Sequence, residues 1–270
     1  MSKNYTVPAP PAAAPPRVIE IHPSASVLPA NHLKFYVLFS ESMRQGTIFQ
    51  YFRLRNVTRG EDVPRPFRHT ELWDGNRLTL WFHPGRQKTG VNLNVELGSI
   101  LRAGDEYELV ISSAWLSLKG QPLGVDVTKQ FRAGPPDSEK PAPTKWAVEL
   151  PRAGTSDPII YRFSKPLDWA LLQSEVTVLD SANRPLAGGI KLREDDTVWT
   201  FRPRSPWQSG HYRLAVGSVL EDLAGNSVAR PFEVDVNAPR SAKVEDTVYV
   251  DFQIKGGEGE PPGKPRTTQR

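Results

Sequence analysis

A chain of 270 residues with 38 % hydrophobic, 24 % charged and 9 % aromatic residues has the make-up of a globular protein and room for two domains of ordinary size. Its 26 prolines argue against long helices, since each lacks an N–H and collides with the preceding turn, and with no cysteine there are no disulfides, thiolate metal sites or cysteine nucleophile. A formal charge of +4 is a weak field for a nucleic-acid binder, which concentrates far more positive charge on one face.

Met1 to Pro8 has no apolar core of the kind a secretory signal needs, so either the protein is cytoplasmic or an export signal lies outside this chain. Pro8 to Pro16 is all proline and alanine, and residues 1–16 are expected to be an extended or disordered arm. Residues 17–134 read as a first domain with an insertion at 85–99, and 135–145, opening on Pro135-Pro136-Asp137-Ser138, as a linker. Residues 146–238 read as a second domain and 239–270 as a polar tail. Within that tail, Val248, Val250, Phe252 and Ile254 alternate with other residues, which predicts an added strand over 246–254 that covers a sheet edge. No stretch approaches the roughly 18 apolar residues of a membrane helix.

The two domains repeat each other. Leu33 to Met43 matches Pro158 to Leu167, Arg77 to Pro84 matches Asp196 to Pro203, and Gly104 to Ile111 matches Gly210 to Val216. Leu118 to Leu123 matches Leu223 to Val228, and Phe131 is paired with Phe232. Each matched block alternates with period two, as in Phe35, Val37 and Phe39 or Ile159, Tyr161 and Phe163, which is the pattern of half-buried antiparallel strands. Turn signals such as Asp74-Gly75-Asn76 and Gly225-Asn226 separate them. Short strands at this spacing predict an all-β chain of two tandem antiparallel β-sandwiches with little helix. One helical turn is expected near Leu171, with Asp168 as its cap.

The order Phe-Ser-Glu-Ser-Met, Phe-x-Pro, Gly-x-x-Tyr-x-Leu and Leu-Ala-Gly-Asn resembles the bacterial Ig-like domains of S-layer and other cell-surface proteins. The second copy carries it in Phe163-Ser164, Phe201-Arg202-Pro203, Gly210-His211-Tyr212 and Asp222-Leu223-Ala224-Gly225-Asn226; the first has Leu116-Ser117-Leu118-Lys119-Gly120-Gln121 in place of the last motif. The resemblance implies immunoglobulin-like sandwiches, an extracytoplasmic setting and a spacer, adhesion or structural role without shared catalytic residues. It also suggests that Tyr107 and Tyr212 tie a corner through their hydroxyls.

No catalytic arrangement emerges from the residues. The five histidines, His22, His32, His69, His83 and His211, show no metal-ligand spacing and read as surface residues. There is no Gly-x-Ser-x-Gly elbow and no phosphate-binding glycine loop. Glu194-Asp195-Asp196 and Glu221-Asp222 read as solvated turn charges, with calcium binding left open. Arg53 and Arg55 alternate with Phe52 and Leu54 and share an outward face. Trp81 falls on the outward phase of its strand, either packed under the insertion or available to grip a sugar or protein partner. The insertion alternates at Val91, Leu93, Val95 and Leu97, which predicts an extended flap that brings Arg86 and Lys88 beside Trp81, either as a binding element or as a cover.

These readings predict a protein that is not an enzyme, has no cofactor or metal, and acts as an extracytoplasmic binding or spacer module. Its expected partner is a protein or an anionic polysaccharide at the cell surface, met through Arg53, Arg55, Trp81, Arg86 and Lys88. Nucleic acid is not the expected ligand. The alternatives are an enzyme or enzyme accessory unit acting on surface glycans, and a cytoplasmic partner- or nucleic-acid-binding subunit that uses the basic face of the first domain.

Overall fold

The structure is a computed structural model, and it describes residues 14–87, 92–193, 195–232 and 245–256. The chain divides into two compact units, one of residues up to His22 with Lys34–Ala133, the other of Pro23–Leu33 with the residues from Gly134 onward. Among the described residues only one- and two-turn helices interrupt the strands.

In the first unit the strands are β1 (Val18–His22), β3 (Lys34–Phe39), β4 (Phe52–Asn56), β5 (Glu61–Asp62), β6 (Leu72–Asp74), β7 (Arg77–Trp81), β8 (Glu106–Ile111) and β9 (Val127–Gly134); the short strand β2 (Val27–Pro29) lies in the segment grouped with the second unit. One sheet runs β1-β3-β7-β6 and the other β9-β8-β4-β5. With strands lettered in chain order these are A-B-E-D facing G-F-C with an added C′, the order of an immunoglobulin-like sandwich. The inward-phase residues Phe35, Leu80, Phe82, Leu54 and Leu109 are buried between the sheets, and the Phe35 ring meets Phe131 of the opposite sheet at 5.7 Å. Trp115 closes one end of this core against Phe39 at 5.0 Å and Phe52 at 5.4 Å, and its Nε1 donates to the Arg44 carbonyl at 2.9 Å.

The second unit repeats the plan with β10 (Ala147–Glu149), β11 (Ile159–Arg162), β12 (Val176–Leu179), β13 (Gly188–Arg193), β14 (Val198–Pro203), β15 (Gly210–Gly217) and β16 (Thr247–Ile254). The sheets are β10-β11-β14-β13 and β12-β15-β16, again A-B-E-D and C-F-G. Phe163, Trp199, Phe201, Tyr212 and Leu214 form its core with Phe252 and Ile254. Before β12, Asp168 accepts from the N–H groups of Ala170 at 3.0 Å and Leu171 at 2.9 Å, which starts the turn at Leu171–Ser174.

The strand order corrects one pairing of the repeat. Phe131 stands opposite Tyr107 on the last strand of the first sandwich, and Phe252, not Phe232, stands opposite Tyr212 on the last strand of the second. The two ring pairs stack alike, at 5.6 and 5.7 Å with both interplanar angles 16°. Phe232 falls nearer to Phe131 in sequence spacing because the second copy carries a longer connection before its final strand.

Both tyrosines tie the corner before their strand. The Tyr107 hydroxyl accepts from the Arg102 N–H at 2.8 Å, and the Tyr212 hydroxyl donates to the Gln208 carbonyl at 3.0 Å. The tight turn after each of these strands is also shared. Gly225 and Gly120 both adopt a φ of +80°, the left-handed region that favours glycine. In the second unit the Asp222 carboxylate accepts from the N–H groups of Ala224 and Asn226, both at 2.9 Å. In the first, the Ser117 hydroxyl accepts from the Gln121 N–H at 3.3 Å, four residues on as in Asp222 to Asn226.

Asp222 is not a solvated turn charge: it is 2 % exposed. Its other oxygen receives Lys165 Nζ at 2.6 Å and Asn226 Nδ2 at 2.9 Å, while the same ammonium reaches Asp137 at 2.7 Å and the Glu139 carbonyl. Asn31 clasps the Asp137 backbone from both sides, its Nδ2 donating to the carbonyl at 2.7 Å and its Oδ1 accepting from the N–H at 2.9 Å. Asp137 is thus held by hydrogen bonds to Asn31 and Lys165. Asp196 is buried too, accepting from the Ser24 N–H at 2.7 Å. Two histidines depart from a surface role in the same way: His22 and His32 are buried, and His32 Nδ1 lies 3.2 Å from the Leu223 carbonyl oxygen.

Among the described residues, one buried group in the second core has no hydrogen-bond partner, the Tyr161 hydroxyl. Tyr161 is 1 % exposed, and burial pushes its pKa well above the ordinary tyrosine range. An unmet hydroxyl in such a place costs about 1–3 kcal/mol. Tyr161→Phe is therefore expected to raise the melting temperature, with a gain of about 1 kcal/mol. A variant that melts lower than the parent would show that the hydroxyl has a partner in solution.

Candidate anion-binding groove

The residues singled out by the sequence do not come together. Arg53 and Arg55 are exposed on β4, on the outer face of the β9-β8-β4-β5 sheet. Acids share that face: Asp62 lies 3.8 Å from Arg53, and Glu108 stands opposite Arg55. Trp81 is on β7 of the other sheet, out of phase with the buried Leu78 and Leu80, so the thickness of the sandwich separates it from both arginines. Its ring is half-buried, with the Lys34 ammonium 4.7 Å from the ring centre. Lys88 lies outside the described residues.

Arg86 is 2 % exposed and works as a clasp. Its guanidinium donates to the carbonyls of Gly98 at 3.0 Å, Leu97 at 3.2 Å, Ser99 at 3.1 Å and Pro64. The extended flap expected here is replaced by two short helices, α1 (Pro84–Gln87) and α2 (Asn92–Leu97). Four alternating apolar residues do not distinguish a strand from a short helix, and the Arg86 bonds draw the far end of the insertion back to its start. Val95, one of the alternating positions, is 73 % exposed.

The second unit carries a site that none of the sequence motifs marks. In the β13–β14 hairpin, Gly189 stands opposite Arg202, Lys191 opposite Thr200 and Arg193 opposite Val198. Residues directly opposite in an antiparallel pair share a face. Ile190 and Phe201 turn to the core, so Gly189, Lys191, Arg193 and Arg202 belong to the outer face. Arg204 continues the line past the end of β14, with its N–H on the Ala187 carbonyl at 2.8 Å. These residues border a concavity of about 640 Å³, completed by Pro158, Gly188, Ile190, Thr200 and Pro203. That volume is within the range of ligand pockets, about 300–1,000 Å³.

Among the described residues, four cations line the groove and no carboxylate does. Among the described residues none of the four is paired with an acid; Arg202 spends one N–H on the Ser156 carbonyl at 2.9 Å. Same-face neighbours along a strand lie about 7 Å apart, and diagonal neighbours on adjacent strands about 7–8 Å. Arg193, Lys191 and Arg202 thus form a row at those spacings, with Arg204 next in line. Like charges gathered at a concave surface focus a positive potential there.

The two glycines have separate reasons. A Cβ on Gly188 would lie 2.4 Å from a ring carbon of Phe201 and 2.5 Å from the Arg202 carbonyl oxygen, so the core ring occupies that space. A Cβ on Gly189 would meet nothing within 4 Å, and its lack of a side chain leaves the groove open between Lys191 and Arg202. Thr200 forms the buried floor, its hydroxyl bonded to the Lys191 carbonyl at 3.1 Å. Such a surface can receive an anion through charge-assisted hydrogen bonds. Among the described residues no group of three or more His, Asp or Glu side chains is placed to hold a metal ion.

The signal for this groove is present in the sequence as Lys191 and Arg193 alternating with Ile190 and Leu192, and as Arg202 next to Phe201. Summing charge over the second domain hides it, because the acids that balance the sum, among them Asp168, Asp180 and Asp222, are hydrogen-bonded in turns elsewhere.

No family model and no curated protein matches the chain in sequence. Solved structures similar to it include native alpha-2-macroglobulin from Escherichia coli (domains MG0-NIE-MG1), at 11 % identity over 90 % of this chain and 72 % of that one, with a TM-score of 0.30. The surface layer protein SbsC, domains 1–6, is 11 % identical over 91 % of this chain and 42 % of its own, with a TM-score of 0.32. The titin domains z1z2 in complex with telethonin are 10 % identical over 91 % and 99 %, with a TM-score of 0.24. The strand order in the two sandwiches carries the assignment of fold.

Proposed function

We propose that the chain is a non-catalytic binding module of two immunoglobulin-like sandwiches that holds an anionic polymer in the groove of its second unit. The observation that carries this reading is the row of four cations, unpaired among the described residues, around a concavity with no acid among its described lining residues. The motif resemblance to bacterial Ig-like domains supports an extracytoplasmic, cell-surface setting. The basic face of the first unit is the weaker candidate, because Asp62 and Glu108 lie among its arginines.

The test titrates the full chain at low salt with inorganic polyphosphate, dextran sulfate and single-stranded DNA. Each lost charge-assisted contact weakens binding by about tenfold, so K191A/R193A/R202A/R204A is expected to bind more than about a hundredfold more weakly. Arg53→Ala with Arg55→Ala is expected to bind as the parent does. Parent affinity in the fourfold variant, or no binding of any polyanion by the parent, overturns the proposal.

A further inference from the structure

Given the anion-binding reading of the groove, on which this step rests, we infer that the ligand is an extended acidic polysaccharide. Its sugar rings lie over Gly188 and Gly189, and its acidic groups meet Arg193, Lys191, Arg202 and Arg204 in turn.

The cations form a row and not a cluster. Their backbone positions follow one another at about 7–8 Å along the hairpin, an arrangement that a chain with repeated charge can engage at all four. The described lining residues include no aromatic ring. Proteins that hold single-stranded nucleic acid rely on aromatic side chains on which bases stack, and this groove offers none. It offers an aliphatic wall in Pro158, suited to the C–H face of a sugar ring. Among the described residues β13 is also the edge of its sheet, so alternate backbone N–H and C=O groups along it face away from β14. With Ala187 and Arg204 bonded across the hairpin, the groups that face away from β14 are those of Gly188 and Ile190, and the bare Gly189 between them lets a hydroxyl-rich ligand reach them.

Basic residues on an edge strand also guard against sheet-to-sheet aggregation. That role explains Lys191 and Arg193. It does not account for Arg202 on the interior strand β14, for Arg204 beyond it, or for the hollow between them.

The experiment keeps every charge and fills the hollow. Gly189→Ser and Gly189→Leu place their side chains in open space, so both variants should melt as the parent does, and a shifted melt in one leaves the other to be read. Binding is measured for a hexamer of galacturonate, a heparin-derived hexasaccharide, oligo-dT of matching charge and an uncharged dextran hexamer. The parent is expected to bind at least one acidic hexasaccharide about tenfold tighter than oligo-dT, and not to bind the dextran. Gly189→Leu is expected to lose tenfold or more on that glycan, with Gly189→Ser between. Equal binding of oligo-dT, or parent-like glycan binding by Gly189→Leu, overturns the glycan inference while the anion site stands. Unchanged binding in the fourfold charge variant overturns both.

Discussion

Replacing Lys165 with methionine is expected to destabilise the second unit by about 3–5 kcal/mol, the usual cost of breaking a buried ion pair by removing one partner. The Lys165 ammonium is the meeting point of the Asp222 and Asp137 carboxylates, at 2.6 and 2.7 Å. Methionine fills much the same volume but leaves Asp222, whose side chain is 1 % exposed, with a charge met among the described residues only by Asn226 and two backbone N–H groups. A loss of that size lowers the melting temperature by on the order of 10 °C or more for a domain of this length.

The pH dependence stems from the same groups. Burial pushes the Asp222 carboxyl above its ordinary range, against the pull of Lys165 and Asn226. A carboxyl raised on folding favours the fold most at low pH, so the cost of Lys165→Met shrinks on acidification as Asp222 takes up a proton. Burial works against the Lys165 charge, but the hydrogen bonds to Asp137 and Asp222 outweigh it and hold its pKa above the ordinary lysine value. That contribution is complete below the ordinary lysine value and is lost as pH rises through the folded value, so parent and variant should converge in strong alkali. Guanidinium melts of both proteins from pH 4 to 11 check the two directions. A variant that stays within 1 kcal/mol of the parent at pH 7 would mean that the network is open to water.

The second large effect concerns the end of the chain. Ending the chain after residue 244 removes β16, the strand that pairs with β15 from Gly210↔Ile254 to Gly217↔Thr247. Phe252 and Ile254 leave the core with it, and Tyr212 loses its stacked ring. The truncated chain is expected to show no cooperative melt of the second unit. Phe252→Ala tests the same contact more gently and is expected to cost about 3–5 kcal/mol, as for other buried aromatic residues. If the truncated chain keeps two transitions, the second sandwich closes without β16.

Much of the fold is legible in the sequence because period-two alternation survives wherever one face of a strand is buried. Phe35, Val37 and Phe39 announce β3 in this way, and Trp199 with Phe201 announces β14. The pairing of Phe131 with Phe232 fails because spacing within a repeat is not kept across a loop, whereas register against Tyr107 and Tyr212 is. The insertion misleads for another reason. Its alternation at Val91 to Leu97 is compatible with a short helix, and what decides its course is the reach of Arg86 to four carbonyls, a long-range set of bonds that no local pattern shows.

Burial of charge is the least legible property. Asp222 and Arg86 look like surface residues in sequence, and each is buried because a set of hydrogen-bond partners converges on it in space. The groove lies between these extremes. Its cations can be placed on the outer phase of β13 and β14 from sequence alone, but their gathering around an open Gly189 depends on the hairpin register.

The most direct test of the groove is a map of backbone amide shifts in the 15N-labelled full chain as an acidic hexasaccharide is added. Saturable shifts are expected to concentrate at Gly189, Lys191, Arg193, Thr200, Arg202 and Arg204, and to vanish in K191A/R193A/R202A/R204A. Shifts concentrated on β4 around Arg53 and Arg55, or spread evenly over both units, would contradict a binding site in the groove.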